Sequence, residues 1–345
     1  MGFIVNILIA NILTQSGLLR LSAIKILTMN PTYYCALDHF GSLSLTGQDA
    51  TAFLQGQVTC DVASVSTSQG QAGAYCTPKG NVIANFDLMQ HQQSLLLHMP
   101  KSMVETVQKA MAKYIVFSQA ELTNTSEQWS RFAVWGPAAA QCIQQLTDSP
   151  NSQRNTTTFD DGFVWAADSN ASAFIVYCLP DATKRVTEKL AAAAKAGDVQ
   201  DFEATQINLG VAYVTPEMSD SYVPQMLNLQ ATGAINFKKG CYTGQEIVAR
   251  MQYLGKLKRH LFIGEVNSTT ELAIGQQIDA SKRKNVGKVV SYATLGNNNY
   301  AFTAVINRSE ALEDQLHLHE QEQANITIAP LPYDIDPQVF ERIKL

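Results

Sequence analysis

Asn236-Phe-Lys-Lys-Gly-Cys-Tyr-Thr-Gly-Gln-Glu246, running on through Ile-Val-Ala-Arg250, is the stretch around which the rest of the chain reads. Thr243 stands three residues before Glu246, just ahead of Ile247 and Val248. That is the pattern of a capping box, in which the hydroxyl accepts from one free N–H and the carboxylate reaches back to another. The spacing predicts a helix from about Gly244. Cys241 then falls just outside the helix N-terminus, where the helix end and the ammonium groups of Lys238 and Lys239 favour thiolate over thiol. Gly240 and Gly244 bracket the cysteine and permit backbone that other residues resist. Taken locally, the pattern also leaves open an inert cysteine, packed as a small hydrophobe.

Together with Tyr222-Val-Pro-Gln-Met-Leu-Asn-Leu-Gln230, this stretch closely resembles the signature of the YgfZ family. These are folate-binding relatives of the glycine-cleavage T-protein that support iron–sulfur enzymes, including those that thiolate tRNA. The resemblance runs from about Tyr33 to Pro330-Leu-Pro-Tyr333. It implies tetrahydrofolate or another folate as ligand, iron–sulfur enzymes as transient partners, and no stable metal. Cys241 is then the residue of the essential chemistry, with Lys239 assisting its ionisation and Gly240, Tyr242, Thr243, Gly244, Gln245 and Glu246 shaping the turn. Two tryptophans that contact folate in YgfZ-like proteins correspond to Phe40 and Phe202, which keep a stacking face and lose the indole donor.

The T-protein itself transfers an aminomethyl group with an aspartate in a run that corresponds to Gly80-Asn81-Val82-Ile83-Ala84-Asn85. Neither Ala84 nor Asn85 supplies a charged acid or base, and Asp87 is read as lying on a shifted register. Asn208 stands where relatives often carry glutamate, and an amide holds no charge. The resemblance therefore implies an accessory protein for assembly or repair of iron–sulfur enzymes, including those of tRNA modification. A folate-dependent aminomethyl transferase is the alternative, and whether the chain is an enzyme stays open.

The bulk properties agree with a soluble globular protein. With 345 residues and 46% hydrophobic content, there is room for two or three domains. A formal net charge of −5 argues against a surface that coats nucleic acid. The six cysteines have no C-x-x-C pair or metal-ligand spacing, which favours a reducing compartment, the cytoplasm. His317 and His319 alternate with leucines and read as surface residues of a strand.

Residues 1–29 read as an N-terminal extension: the apolar run is broken by Asn6, Asn11 and Thr14, lacks a basic leader and is marginal as a span. Met29 is the expected true start, with a membrane anchor as the lesser reading.

From there the pattern predicts an α+β chain in three parts. In the first, residues 30–125, a strand at Ser42–Leu45 is followed by a helix containing Phe53 and Leu54. Strands at Gln71–Thr77 and Asn81–Met89, joined by Pro78-Lys79-Gly80, lead to a third at Ser94–Met99. Met103, Val104, Val107, Ala110, Met111 and Tyr114 then mark one face of a helix. The same strand-helix-strand-strand-helix order returns over residues 126–254, so two ferredoxin-like, split βαβ lobes are expected. After Gly255 the strands are short and separated by Gly, Asn and Ser, which predicts a small β-barrel over 255–335.

No P-loop, Rossmann glycine fingerprint or G-x-S-x-G elbow occurs. Asp160-Asp161 reads as a solvated turn. Lys238, Lys239, Arg250, Lys256, Lys258 and Arg259, followed by Lys282, Arg283, Lys284 and Lys288, form a late basic cluster. Its default reading is solvated surface, and with few interleaved aromatics it supports no direct tRNA contact.

Overall fold

The structure, a computed structural model, describes residues 31–147, 155–167 and 172–341, so the extension read over 1–29 lies outside the described residues. The first strand, β1, is Tyr33–Ala36, followed by β2 (Phe40–Thr46), α1 (Ala50–Gln55), β3 (Gln71–Cys76), β4 (Val82–His91), β5 (Ser94–Pro100), α2 (Lys101–Ile115) and β6 (Glu121–Asn124). Strands β3-β4-β5-β2-β6 form one sheet in that order. Elements β2-α1-β4-β5-α2-β6 give the split βαβ order, with β3 added at the edge. The β3–β4 turn closes through Gly80, whose φ of +77° is left-handed backbone that glycine adopts without strain. Helix α2 buries Met103, Val104, Val107 and Met111 of the stripe that its 3.6-residue spacing predicts, while Ala110 is half-buried and Tyr114, at the last turn, is exposed.

The second sheet is built from β7 (Ser130–Trp135), α3 (Ala139–Thr147), β8 (Thr156–Phe159), β9 (Gly162–Ala166), β10 (Ala173–Cys178), α4 (Thr183–Ala193) and β11 (Lys195–Ala196). Its order is β11-β1-β7-β10-β9-β8. The position beside β7 that a fourth ferredoxin strand would fill is taken by β1, from the start of the described chain. Tyr33–Ala36, read with the first lobe, thus belongs to the sheet of the second: its residues pair with Trp135–Phe132, and Tyr33 stacks on Trp135 with centroids 5.7 Å apart. The two-residue β11 adds only an outer edge.

The two sheets share one apolar layer that includes Phe40, Leu96, Trp135, Phe163, Trp165, Tyr177 and Phe202. Separate cores lie under the helices of each lobe. Helix α5 (Val199–Asn208), capped by the Asp198 carboxylate accepting from Gln200 N, leads into an irregular run and then α6 (Gln245–Leu254). That irregular run does not stay with the second lobe. Ala212, Val214, Tyr222, Leu227 and Val248 pack with Ala74, Cys76 and Val82 of the first sheet and with Leu261, Val290 and Val305 beyond. Val82 N donates to Tyr222 O at 2.7 Å, and Asp220 N returns to Val82 O at 2.8 Å.

The last part is a closed barrel of β12 (Arg259–Asn267), β13 (Gln277–Ala280), β14 (Arg283–Gly296), β15 (Asn299–Asn307), β16 (Leu316–Leu318) and β17 (Gln321–Ala329), with α7 (Arg308–Glu313) between β15 and β16. His319, read as an unpartnered surface residue, instead pairs through Nδ1 with the buried Asp279 carboxylate at 2.8 Å. The mixed α+β class and the terminal barrel are those the pattern predicts. The helix α5 buttresses the barrel by setting Ala204 and Ile207 against Ala293 and Ala301.

Candidate functional site

The signature turn is moored to the first lobe. Asn236 N donates to Thr59 O at 2.9 Å, and the Asn236 side-chain oxygen accepts from the N–H groups of Lys238 and Lys239. Lys239 then reaches inward: Nζ donates to Gln55 O, Val58 O and Cys60 O at 2.8, 2.7 and 2.7 Å. An ammonium has three donors, so all are engaged. Burial pushes this ammonium down to about 8. Its Nζ also sits 5.2 Å from the centroid of the buried Tyr242 ring, whose phenol is pushed up by the same burial. The expected assistance to Cys241 has no contact behind it, because the Lys239 bonds go to carbonyls of residues 55–60. Lys239 instead pins the turn.

The capping box does not form. Helix α6 is entered through Gly244 at φ +84°, with no side-chain cap, and Thr243 Oγ1 reaches Gln57 Oε1 at 3.5 Å instead. The reason is crowding: a Cβ on Gly244 would lie 2.5 Å from Thr77 O, and one on Gly80 would lie 2.8 Å from Ile247 Cβ. Two glycines therefore let the helix start press onto the β3–β4 turn. Gly240 is different, since its φ is not left-handed and a Cβ there would meet nothing within 4 Å. Glu246 is exposed in the first turn of α6, and Gln245 N donates to Tyr242 O.

What this framework displays is Cys241. It is exposed, whereas Cys35, Cys60, Cys76, Cys142 and Cys178 are buried. Burial pushes the Cys35 and Cys76 thiols up to about 12 and Cys178 to about 11, which leaves them protonated and unreactive at neutral pH. Among the described residues no group of three or more His, Cys, Asp or Glu is arranged to hold a metal ion.

A cleft of about 450 Å³ opens between the lobes and the barrel. Its wall includes His39, Phe40, Glu203, Gln206, Tyr213 and Tyr292. Phe40 lies parallel to His98, with centroids 4.5 Å apart, and meets the Tyr213 ring edge-on at 5.1 Å. His39 Nε2 and Glu203 Oε1 are 2.7 Å apart at the rim. Phe202 does not line the cleft. It is 1% exposed and packs on Trp135, because α5 turns about 100° per residue and shows the cleft Glu203 and Gln206 rather than Phe202. The exposed Asn208 and the exposed Cys241 are also outside its wall. No Lys or Arg lines the cleft, so the positive rim that a folate tail would use is not part of this wall.

Behind Tyr213 lies a smaller cavity of about 40 Å³, walled in part by Asn85, Asp87, Gln206 and Tyr213. Asn85 is held by backbone on both sides of its amide, donating to Ala212 O at 2.9 Å and accepting from Val214 N at 2.8 Å. Asp87 accepts from the Tyr213 hydroxyl at 2.6 Å. The shifted register read for Asp87 does not set it apart from Asn85, because the β3–β4 ladder runs unbroken from Asn85 to Asp87. Asp87 is two residues from Asn85, hence on the same face of β4, and it faces this cavity. Counting in twos from Asn85 finds it; nothing in the sequence marks Tyr213 or the His39–Glu203 pair.

The sequence profile of the GCVT N-terminal domain matches residues 32–239. The tRNA-modifying protein YgfZ of Colwellia psychrerythraea is 33% identical over 311 residues, covering 88% of this chain and 94% of its own. The protein of the same name from Vibrio atlanticus is 30% identical, covering 88% and 92%.

The chain belongs to the YgfZ family.

Its fold is shared with the glycine cleavage system aminomethyltransferase T of Bartonella henselae, at a TM-score of 0.70, 11% identity and coverage of 88% and 87%. In this YgfZ-family chain the turn at residues 236–246 is moored to the first lobe, and the cleft opens where lobes and barrel meet.

Proposed function

We propose that this YgfZ-family protein is a folate-binding accessory factor for assembly or repair of iron–sulfur enzymes, through which it acts on tRNA modification. The observation that carries the reading is the presentation of Cys241. One thiol is exposed on a turn held by three charge-assisted bonds, while the other five are buried. That suits a redox-responsive thiol or a transient ligand handed to a partner. Six free cysteines suit a reducing compartment, the cytoplasm. No helix among the described residues is long and apolar enough to cross a membrane.

The cleft has the size and character of a small-molecule site, apolar with a few polar groups. Tyr213 would offer its half-buried ring to a pterin, with Phe40, 4% exposed and stacked on His98, backing that wall, and with Gln206 and Glu203 as hydrogen-bonding partners. The folate tail would leave through the open side, since no cation in the wall holds it. In a strain lacking this protein, Cys241→Ala is expected to abolish rescue of an iron–sulfur enzyme while the purified variant keeps its fold. Undiminished rescue would remove the thiol from the mechanism.

One observation favours one-carbon transfer as a second reading: Asp87 supplies a carboxylate beside the cleft that the sequence reading discounts. A single-turnover assay with an aminomethyl donor and tetrahydrofolate decides it, and absence of product eliminates this reading.

A further inference from the structure

Helix α5 turns one face into the cleft, and on that face Glu203 and Gln206 stand three residues apart, as neighbours on the helix surface. The other polar side chains around them are engaged. Asn85 donates to Ala212 O and accepts from Val214 N, and Asp87 accepts from the Tyr213 hydroxyl. Ser291 Oγ pairs with Thr303 Oγ1 at 2.7 Å, and Gln200 Oε1 accepts from Thr294 N at 2.9 Å. Gln206 is 6% exposed, and nothing among the described residues pairs with its amide.

That amide is not sealed in. Gln225 Oε1 and Asn228 Oδ1 are unpaired and shut away from any space, whereas Gln206 keeps surface on two voids. With Val211 and Tyr213 it lines both the cleft of about 450 Å³ and the cavity of about 40 Å³ behind. A cavity that admits benzene has a volume of roughly 150 Å³, so a ligand ring reaches Gln206 from the cleft side.

The chemistry of the amide says what such a ring must carry. A glutamine offers N–H donors beside a carbonyl acceptor. Already stripped of most of its water, it gains from a ligand edge with the reverse order, a C=O beside an N–H. Glu203 extends the row: its Oε1 lies 2.7 Å from His39 Nε2, and Oε2 is left to accept. Donor, acceptor, acceptor along α5 complements acceptor, donor, donor, which is the order of O4, N3–H and the amino group on a 2-amino-4-oxopyrimidine ring.

We propose that Gln206 determines the specificity of this cleft by reading the lactam edge of a pterin, with Glu203 taking the amino group. Resting on the folate assignment above, this places selection in the pterin head, since no Lys or Arg in the wall grips a tail.

Three ligands are titrated calorimetrically into the full chain under nitrogen. They are tetrahydrofolate, 6-methyltetrahydropterin, which has the head without the tail, and its 4-deoxy analogue, which lacks both O4 and N3–H. The wild type is expected to bind the first two, and to prefer 6-methyltetrahydropterin to the 4-deoxy analogue by about 30-fold, the worth of two neutral hydrogen bonds. Gln206→Met keeps the length and packing of the side chain, and the preference is expected to fall to about three-fold or less. A glutamine that only supports α5 would weaken both compounds alike when replaced, leaving the ratio unchanged. That result, in a variant with the wild-type far-UV circular dichroism spectrum, overturns the proposal. So does equal binding of the two head compounds by the wild type, which needs no variant. If tetrahydrofolate binds and 6-methyltetrahydropterin does not, the proposal fails while the folate assignment stands. If neither binds, both fail.

Discussion

Replacing Lys239 with methionine removes the ammonium while keeping most of the side chain's apolar length. Three carbonyls, of Gln55, Val58 and Cys60, lose donors at 2.8, 2.7 and 2.7 Å. Hydrogen bonds to a charged group contribute roughly 1.5–3 kcal/mol each, so three at the low end come to about 4.5 kcal/mol. Water enters part of the vacated space, because Lys239 is only half-buried, and the Lys239→Met variant is relieved of the ammonium's desolvation. A net loss of about 2–3 kcal/mol is expected. Chemical denaturation followed by far-UV circular dichroism reads it, with the first transition moving to lower denaturant. The alkylation rate of Cys241 in the native variant should stay close to that of wild type, because the ammonium points to the first lobe. A stability loss below about 0.5 kcal/mol together with a ten-fold slower alkylation would refute the reasoning and return Lys239 to the thiol.

Limiting alkylation of the native protein should modify one thiol per chain, at Cys241, against six after denaturation, as counted by mass spectrometry. Gly244→Ala should destabilise by about 1–3 kcal/mol, since its Cβ meets Thr77 O on left-handed backbone, while Gly240→Ala stays within about 0.5 kcal/mol of wild type by the same denaturation assay. Stability should fall between pH 6.5 and about 4: burial lowers His260 to about 4 and His98 well below its usual value, so the unfolded chain takes up protons there that the folded one refuses. The contribution is fully present above 6.5 and declines by at most about 1.4 kcal/mol per pH unit per histidine, and a flat denaturation midpoint over that window would contradict it.

The split βαβ order and the barrel were legible because strand alternation and the α2 stripe are local signals. The place of β1 was not, since a four-residue strand, Tyr33-Tyr-Cys-Ala36, carries no mark of which sheet edge it completes. Sheet pairing there is a tertiary choice, fixed by Trp135 and Phe132 across the ladder. The capping box failed for a related reason. Thr243 and Glu246 have the right spacing, yet the contact of Gly244 with Thr77 O sets the entry angle and leaves the hydroxyl facing Gln57. At the cleft, a resemblance placed Phe40 on the wall, but helix phase turned Phe202 into the core beside Trp135. Asp87 is within reach of a period-two count from Asn85, with which it shares an unbroken ladder. The distance in sequence between Phe40, Asp87 and Tyr213 hides the cluster that the fold assembles.

Calorimetric titration of tetrahydrofolate into the wild type, Phe40→Ala and Cys241→Ala tests the account most directly. The wild type and Cys241→Ala are predicted to bind alike, and Phe40→Ala to bind about ten-fold or more weakly. Equal binding by wild type and Phe40→Ala, or its loss in Cys241→Ala, would contradict a folate cleft that is separate from the working thiol.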